Sequence, residues 1–292
     1  MDAWPRERAS QLATLVERAL PDEGLTKGEL AFCCWTDDSA VLALPAGDGA
    51  VAVAVTKEGD RRIGYVRLIV VEPAAQRGGQ GRSLLTAAHE WAFDRGAEEI
   101  RVGASAPFYL WPGCDFAHLG ALCLFESFGY WTVGAELNMS CSTRHRAEPP
   151  PGARVVRVAD PDDVDSVLAL VRREWPNWET ETARGIELGT CFAAIDEDDP
   201  EIALGYASHS VNRRGWVGPM ATDTRRQHGG VGSALLGALC EDMQDRDLDR
   251  AEIAWVGPVR FYAKAANASV SRVFRSLTLP RSVAGRAASG SR

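Results

Sequence analysis

The sequence predicts a mixed α/β protein made of two tandem domains, each a central mixed β-sheet flanked by helices. Three observations carry that expectation. The run Gln76-Arg77-Gly78-Gly79-Gln80-Gly81-Arg82-Ser83-Leu84-Leu85 recurs as Gln227-His228-Gly229-Gly230-Val231-Gly232-Ser233-Ala234-Leu235-Leu236, with six of the ten positions identical. Each copy stands in the same order of elements: a β-rich run, the glycine turn, an apolar helical repeat and a second β-rich run. Between the copies a polar stretch holds three successive prolines, Pro149, Pro150 and Pro151, which favour an extended connector. The expected layout is a first domain over 1–145, a linker over 146–152, a second domain over 153–280 and a flexible tail over 281–292.

Each element follows from local pattern. In the first half, residues 9–20 read as a helix, and 30–35, 40–44 and 50–56 as short strands. Residues 63–71, rich in Ile, Val, Leu and Tyr, read as the strand before the first glycine turn. Beyond the turn, Leu84, Leu85, Ala88, Trp91 and Ala92 recur at helical spacing up to Gly96, a C-terminal stop, and 100–102 resume a strand. The second half opens with a strand over 155–158. Asp160 then caps a helix whose Val164, Val167, Leu168 and Val171 form one apolar stripe. Strands over 191–195, 202–211 and 216–222 lead to the second glycine turn. A helix bearing Leu235, Leu236, Leu239, Cys240 and Met243 follows, then a strand over 252–256.

Composition narrows the function. With 46% hydrophobic and 25% charged residues the chain is that of a folded globular protein. Its net charge of −8 gives no overall attraction to phosphate backbones or anionic lipid, so neither nucleic acid nor membrane is expected as a partner. Apolar runs are strand-sized, far below the ~18 residues that span a bilayer. The first residues, Met1-Asp2-Ala3-Trp4-Pro5-Arg6, lack a signal-peptide pattern, which points to the cytoplasm. Seven cysteines without a C-x-x-C pair or a histidine at zinc spacing argue for small core residues in a reducing compartment, with no metal.

A glycine turn between strand and helix presents backbone N–H groups at the positive end of the helix dipole, and glycine lets a phosphate approach closely. The Walker pattern fails, because Gly81-Arg82 and Gly232-Ser233 do not supply Gly-Lys-Ser/Thr. The dinucleotide fingerprint fails too, since Leu84 and Leu235 stand where its third glycine belongs.

The turn instead resembles the acyl-CoA loop of the GNAT superfamily, Gln/Arg-x-x-Gly-x-Gly/Ala: Gln76, Gly79 and Gly81 match it, as do Gln227, Gly230 and Gly232. A later family motif resembles Phe261-Tyr262-Ala263-Lys264, while the first half has Phe125 where the tyrosine belongs. The duplicated plan is similar to the tandem two-domain type that includes mycothiol synthase. The resemblance implies two GNAT-like domains and transfer of an acetyl group from acetyl-CoA to a primary amine of a small molecule or peptide. It implies that Ile69, Val70 and Val71, and Met220, Ala221 and Thr222, bond the pantetheine arm. The loop residues Gln76, Arg77, Gly78, Gly79, Gln80, Gly81 and Arg82, and Gln227, His228, Gly229, Gly230, Val231, Gly232 and Ser233, would hold the diphosphate. Tyr262 would be the acid that protonates the thiolate, making the second half the catalytic one and the first degenerate. A monomer or homodimer is expected. The rival class is a non-catalytic acyl-CoA-binding or scaffold protein.

The base stays open between Glu179, His209 acting through water, and solvent. Glu179 lies in Trp175-Pro176-Asn177-Trp178-Glu179, which reads either as an acceptor pocket suited to an amine or as a packed helix corner. His209, on a strand between Ala207 and Val211, reads either as a base or as a packed histidine. The aromatic run Phe108-Tyr109-Leu110-Trp111 reads either as a loop over a pocket mouth or as an interface.

Overall fold

The computed structural model describes residues 1–226 and 229–287, and these form two compact units. One comprises Met1–Glu136 with the segment beginning at Val273; the other is Leu137–Arg272. The mixed α/β architecture is the one the sequence predicts. The residues expected as a linker, 146–152, fall within the second unit, where the backbone of Ala147 lies against Gly237 so closely that a Cβ there would meet Ala147 N at 2.8 Å.

The first unit runs β1 (Asp2–Trp4), α1 (Ala9–Ala19), α2 (Lys27–Cys34), β2 (Ser39–Ala43), β3 (Gly49–Glu58), β4 (Arg61–Val71), α3 (Gln80–Asp94), β5 (Glu99–Val102), β6 (Cys114–Asp115), α4 (Leu119–Ser127) and the start of β7 (Trp131–Ser142). Its sheet has the order β1-β2-β3-β4-β5 and then the end of the chain's last strand, whose Thr278 and Leu279 pair with Arg101 and Ile100. All pairings are antiparallel except β4 with β5. Strand β3 shows why this sheet is buried on both faces. Ala50 and Ala52 point to a core with Leu12, Leu15, Val16 and Leu30 of α1 and α2, while Val51 and Val53 point to one with Leu84, Leu85, Ala88 and Phe125 of α3 and α4.

The second unit repeats the plan with β8 (Ala153–Arg157), α5 (Pro161–Glu174), α6 (Glu179–Glu187), β9 (Cys191–Asp196), β10 (Ala203–His209), β11 (Trp216–Thr222), α7 (Val231–Asp245), β12 (Arg250–Ile253), α8 (Val259–Ala266) and the start of β13 (Ser269–Pro280). Its sheet order is β8-β9-β10-β11-β12 followed by the end of β7, and among the described residues only β11 with β12 is parallel. One face packs on α5 and α6 through Val167, Leu170, Val171 and Tyr206; the other packs on α7 and α8 through Leu235, Leu236, Leu239 and Tyr262.

Two local expectations are corrected. Residues 30–34 of the run expected as a strand instead form most of helix α2, and Trp35 caps its end. Thr26 and Glu29 close a capping box, the Thr26 backbone N–H donating to Glu29 Oε2 at 2.6 Å, and that end signal outweighs the apolar run behind it. The expected tail begins instead with a helix, α9 (Arg281–Ala287); Val283 and Ala284 pack on the α3–α4 core, and Arg281 Nη1 donates to the carbonyl of Phe93 at 3.0 Å.

Candidate functional site

In each unit the parallel strands separate where the glycine turn begins. Strands β4 and β5 pair from Ile63 with Glu99 to Val66 with Val102, and among the described residues no pair follows, so Leu68–Val71 run on without a parallel neighbour. Strands β11 and β12 likewise pair at Trp216–Glu252 and Val217–Ile253 and then part, leaving Met220, Ala221 and Thr222 beside the gap. A bulge marks both departures. The β3–β4 register slips at Ala52/Val53, making Arg67 the extra residue, and the β10–β11 register slips at Ala207/His209 opposite Gly218-Pro219. Each splay is a slot lined by strand backbone.

The turns then aim helix N-termini at those slots. Gly79 and Gly230 are the N-caps of α3 and α7, both with φ +91°, a left-handed conformation that favours glycine. Among the described residues neither helix start takes a side-chain cap, so N–H groups of the first turn remain for a ligand. The first intrahelical bonds begin only at Ser83 N→Gly79 O (3.0 Å) and Ala234 N→Gly230 O (3.1 Å). The last glycine shared by the two runs is fixed by packing: a Cβ on Gly81 would meet Leu124 at 3.3 Å, and one on Gly232 would meet the Phe261 ring at 3.1 Å. Both turns are thus cradles that a side chain would fill.

In the first unit, Gln76 Nε2 donates to the Val71 carbonyl at 3.1 Å and ties the turn to the strand end. Arg77 is exposed at φ +66°; Arg82 lies 4.8 Å over the Phe128 ring and donates to Ser127 Oγ. A cavity of about 850 Å³ opens here. Its walls include Ile69, Val70 and Val71, the turn residues Gln76, Arg77, Gly79, Gly81 and Arg82, and on the far side Trp111, Asp115, His118 and Phe125. The Phe108–Trp111 run contributes Trp111 to that wall, inside one unit.

In the second unit, Gln227 and His228 lie outside the described residues. Gly229 and Gly230 are exposed, Val231 is buried, and Met220, Ala221, Thr222 and Ser233 are half-buried. Tyr262, on α8, is 6% exposed; its hydroxyl donates to Met220 Sδ at 3.7 Å and its ring meets Phe261 edge-on. Burial, with the Cys141 thiol adding a smaller push, raises the phenol above its ordinary value, keeping it protonated and able to donate.

The other two predicted residues stand apart from this pair. Glu179 is on the surface at the start of α6, 2.7 Å from Arg172. His209 is fully buried, its Nε2 2.7 Å from Asp242 Oδ2 and its Nδ1 3.0 Å from Ser210 Oγ. Burial outweighs the Asp242 contact and lowers its pKa, so it sits as a neutral, hydrogen-bonded core histidine. Asp242 also takes Arg157 and, at 2.9 Å, Arg246.

Two arrangements escape the sequence reading. The residue directly after β4 and after β11 is acidic and is held by an arginine one residue from the end of the unit's first helix: Arg18 to Glu72 at 2.7 Å and Arg173 to Asp223 at 2.8 Å. The signal was in the alignment of the halves, at the position four residues ahead of the matched run. Arg225 and Arg173 together hold Asp223 down at about 2. The second arrangement is Glu181 on α6, which is 5% exposed, accepts from Asn212 Nδ2 at 3.1 Å and is pushed by burial to about 8.

Each unit thus carries the same strand, glycine turn and helix beside a strand splay, and comparison with known proteins places the chain in a family. The profile of the acetyltransferase (GNAT) family matches residues 9–109 and 160–266, most of both halves, and the chain belongs to that family. Among solved structures, a tandem GNAT protein from the clavulanic acid biosynthesis pathway is 16% identical, with TM-score 0.71 over 95% of this chain and 97% of its own. A GCN5-related N-acetyltransferase from Sphaerobacter thermophilus is 17% identical, with TM-score 0.66 over 95% and 94%. The GCN5-related glucosamine N-acetyltransferase region of a fungal multi-domain GH3 β-N-acetylglucosaminidase is 16% identical with TM-score 0.74; 95% of this chain is covered, but only 38% of that one. These likenesses concern the fold. No curated protein sequence matches the chain significantly. Among the described residues no helix is long and apolar enough to cross a membrane, and no group of three or more His, Cys, Asp or Glu is placed to hold a metal ion.

Proposed function

We propose that this chain transfers an acetyl group from acetyl-CoA to a primary amine of a small molecule or peptide by direct attack of the amine on the thioester. The observation that carries the reading is the coincidence, in the second unit, of a strand splay, an uncapped helix start at Gly230 and a protonated Tyr262 over Met220 of the same strand. The helix start supplies N–H groups to the diphosphate, and the unpaired edge of Met220–Thr222 supplies backbone bonds to the pantetheine arm and to the oxyanion. Tyr262 returns a proton to the departing thiolate. Residues 160–201 hold thirteen Asp or Glu against three Arg, a field that favours a cationic amine and repels nucleic acid. Seven free cysteines support a reducing, cytoplasmic setting, and the chain acts as a monomer or homodimer. A thiol-release assay over a panel of primary amines tests the reading: amine-dependent release is expected. Phe125 in the tyrosine position of the first unit favours the rival reading of a non-catalytic acyl-CoA binder, and acetyl-CoA binding without release would decide for it.

A further inference from the structure

The cavity of the first unit ends in a polar cluster that the donor turn does not require. His118 lines the cavity at the start of α4, its side chain 30% exposed. Its Nε2 lies 2.9 Å from Glu23 Oε1, and the other Glu23 oxygen accepts the Trp111 indole N–H at 3.2 Å. Glu23 is 7% exposed, in the single turn Pro21–Glu23 that joins α1 to α2, so its carboxylate stands behind the histidine. The His118 backbone is anchored too, its N–H donating to the Asp115 carbonyl at 3.0 Å. A carboxylate on Nε2 selects the Nε2–H tautomer and leaves Nδ1, which has no hydrogen bond among the described residues, as a proton acceptor. The buried histidines His89 and His209 differ: His89 is bonded to Tyr130, and His209 to Asp242. Asp115, 5% exposed, puts a carboxylate on the cavity wall, and Phe125 occupies the place of a tyrosine and cannot move a proton.

We propose that the first unit is a second acyl-transfer site, in which His118, positioned by Glu23, carries the proton between a primary amine and the departing CoA thiolate. The proposal rests on the acetyl-CoA reading above. The amine nitrogen bonds to the acyl carbon and the carbon–sulfur bond breaks, its electron pair leaving with sulfur. His118 takes the proton that the amine nitrogen sheds and passes it to the thiolate, so thioester and amine become amide and thiol. Trp111 and Asp115 on the cavity wall fit an amine carrying an apolar or aromatic arm.

The test uses the full-length chain with Gly232→Trp, which fills the second cradle against Phe261, and takes acetyl-CoA and phenethylamine as probes. Thiol release should persist in this variant and fall about 10²-fold on adding His118→Ala. Millimolar imidazole, which the cavity admits, should restore it. Glu23→Gln should lower kcat by about tenfold with KM for acetyl-CoA unchanged. Release that stays within roughly twofold in His118→Ala refutes the second site, as does loss of release in Gly232→Trp while acetyl-CoA still binds. If Gly232→Trp does not fold, His118→Ala in the wild-type chain is read by imidazole rescue, whose absence overturns the proposal. A wild-type chain that binds acetyl-CoA and releases no thiol with amine or water fails at the level of the transferase reading itself.

Discussion

Tyr262→Phe separates chemistry from packing because the structure assigns the hydroxyl little of the fold. The ring stays buried with its edge on Phe261, and the oxygen's recorded partner is a thioether sulfur at 3.7 Å, a weak acceptor. Losing such a bond costs about 0.5–1 kcal/mol at most, a Tm shift of about 2 °C. Losing a general acid lowers kcat by ~10²–10⁴, or about 3–5 kcal/mol in the barrier. The catalytic effect therefore exceeds the structural one several-fold. The assay is thiol release with acetyl-CoA in excess, run in a chain that also carries His118→Ala so that the second unit alone is read, beside a melting curve. The expected outcome is a large loss of kcat with KM for acetyl-CoA and Tm nearly unchanged. A kcat near the parent's would make Tyr262 a packing residue and refute the assignment.

Other consequences follow from groups around the site. Asp242→Ala strips the partner from buried His209 and from Arg157 and Arg246, and should destabilise the second unit by about 2–4 kcal/mol in urea unfolding, discounted because both arginines are half-exposed. Glu181 has its pKa raised to about 8, so the folded state holds a proton that the unfolded chain releases above about 4.3; stability should fall as pH rises from about 5 to 8, and Glu181→Gln should flatten that slope in melting curves. Asp223 works oppositely: held at about 2, it stabilises above the ordinary carboxylate value of about 3.9 and loses that as pH falls toward 2, an effect of at most about 2 kcal/mol that Asp223→Asn should remove. Added salt should raise KM for a cationic amine, by screening the acidic stretch 160–201; an unchanged KM would count against electrostatic capture.

What the sequence made legible was what is local. The glycine runs, the strands before them and the helices after them depend on φ preference and periodicity within a few residues, and strand β11 has the predicted limits, Trp216–Thr222. Helix α2 was read as strand because its apolar run is short, and only the capping box at Thr26 and Glu29 distinguishes the two. The long strands β7 and β13 were not foreseen: Trp131 and Val133 are exposed, and so is Val270, so the burial alternation that betrays a strand is weak. At the site, Gly79 and Gly230 were readable because a left-handed turn demands glycine. His118 was not, since its meaning comes from Glu23, ninety-five residues away in sequence and 2.9 Å away in space. His209 and Glu179 show the converse: residue type suggested a base, and burial beside Asp242 or pairing with Arg172 gives each a different setting.

The central claim is that acetyl passes from CoA to an amine on this chain. The most direct measurement incubates the full-length protein with acetyl-CoA labelled in the acetyl carbonyl and a panel of primary amines, and follows the label by mass spectrometry. The account predicts label on an amine nitrogen in step with free CoA thiol, and none when Gly81 and Gly232 are both replaced by Trp. Label that stays in intact acetyl-CoA while the protein binds it would contradict the account and leave an acyl-CoA-binding protein.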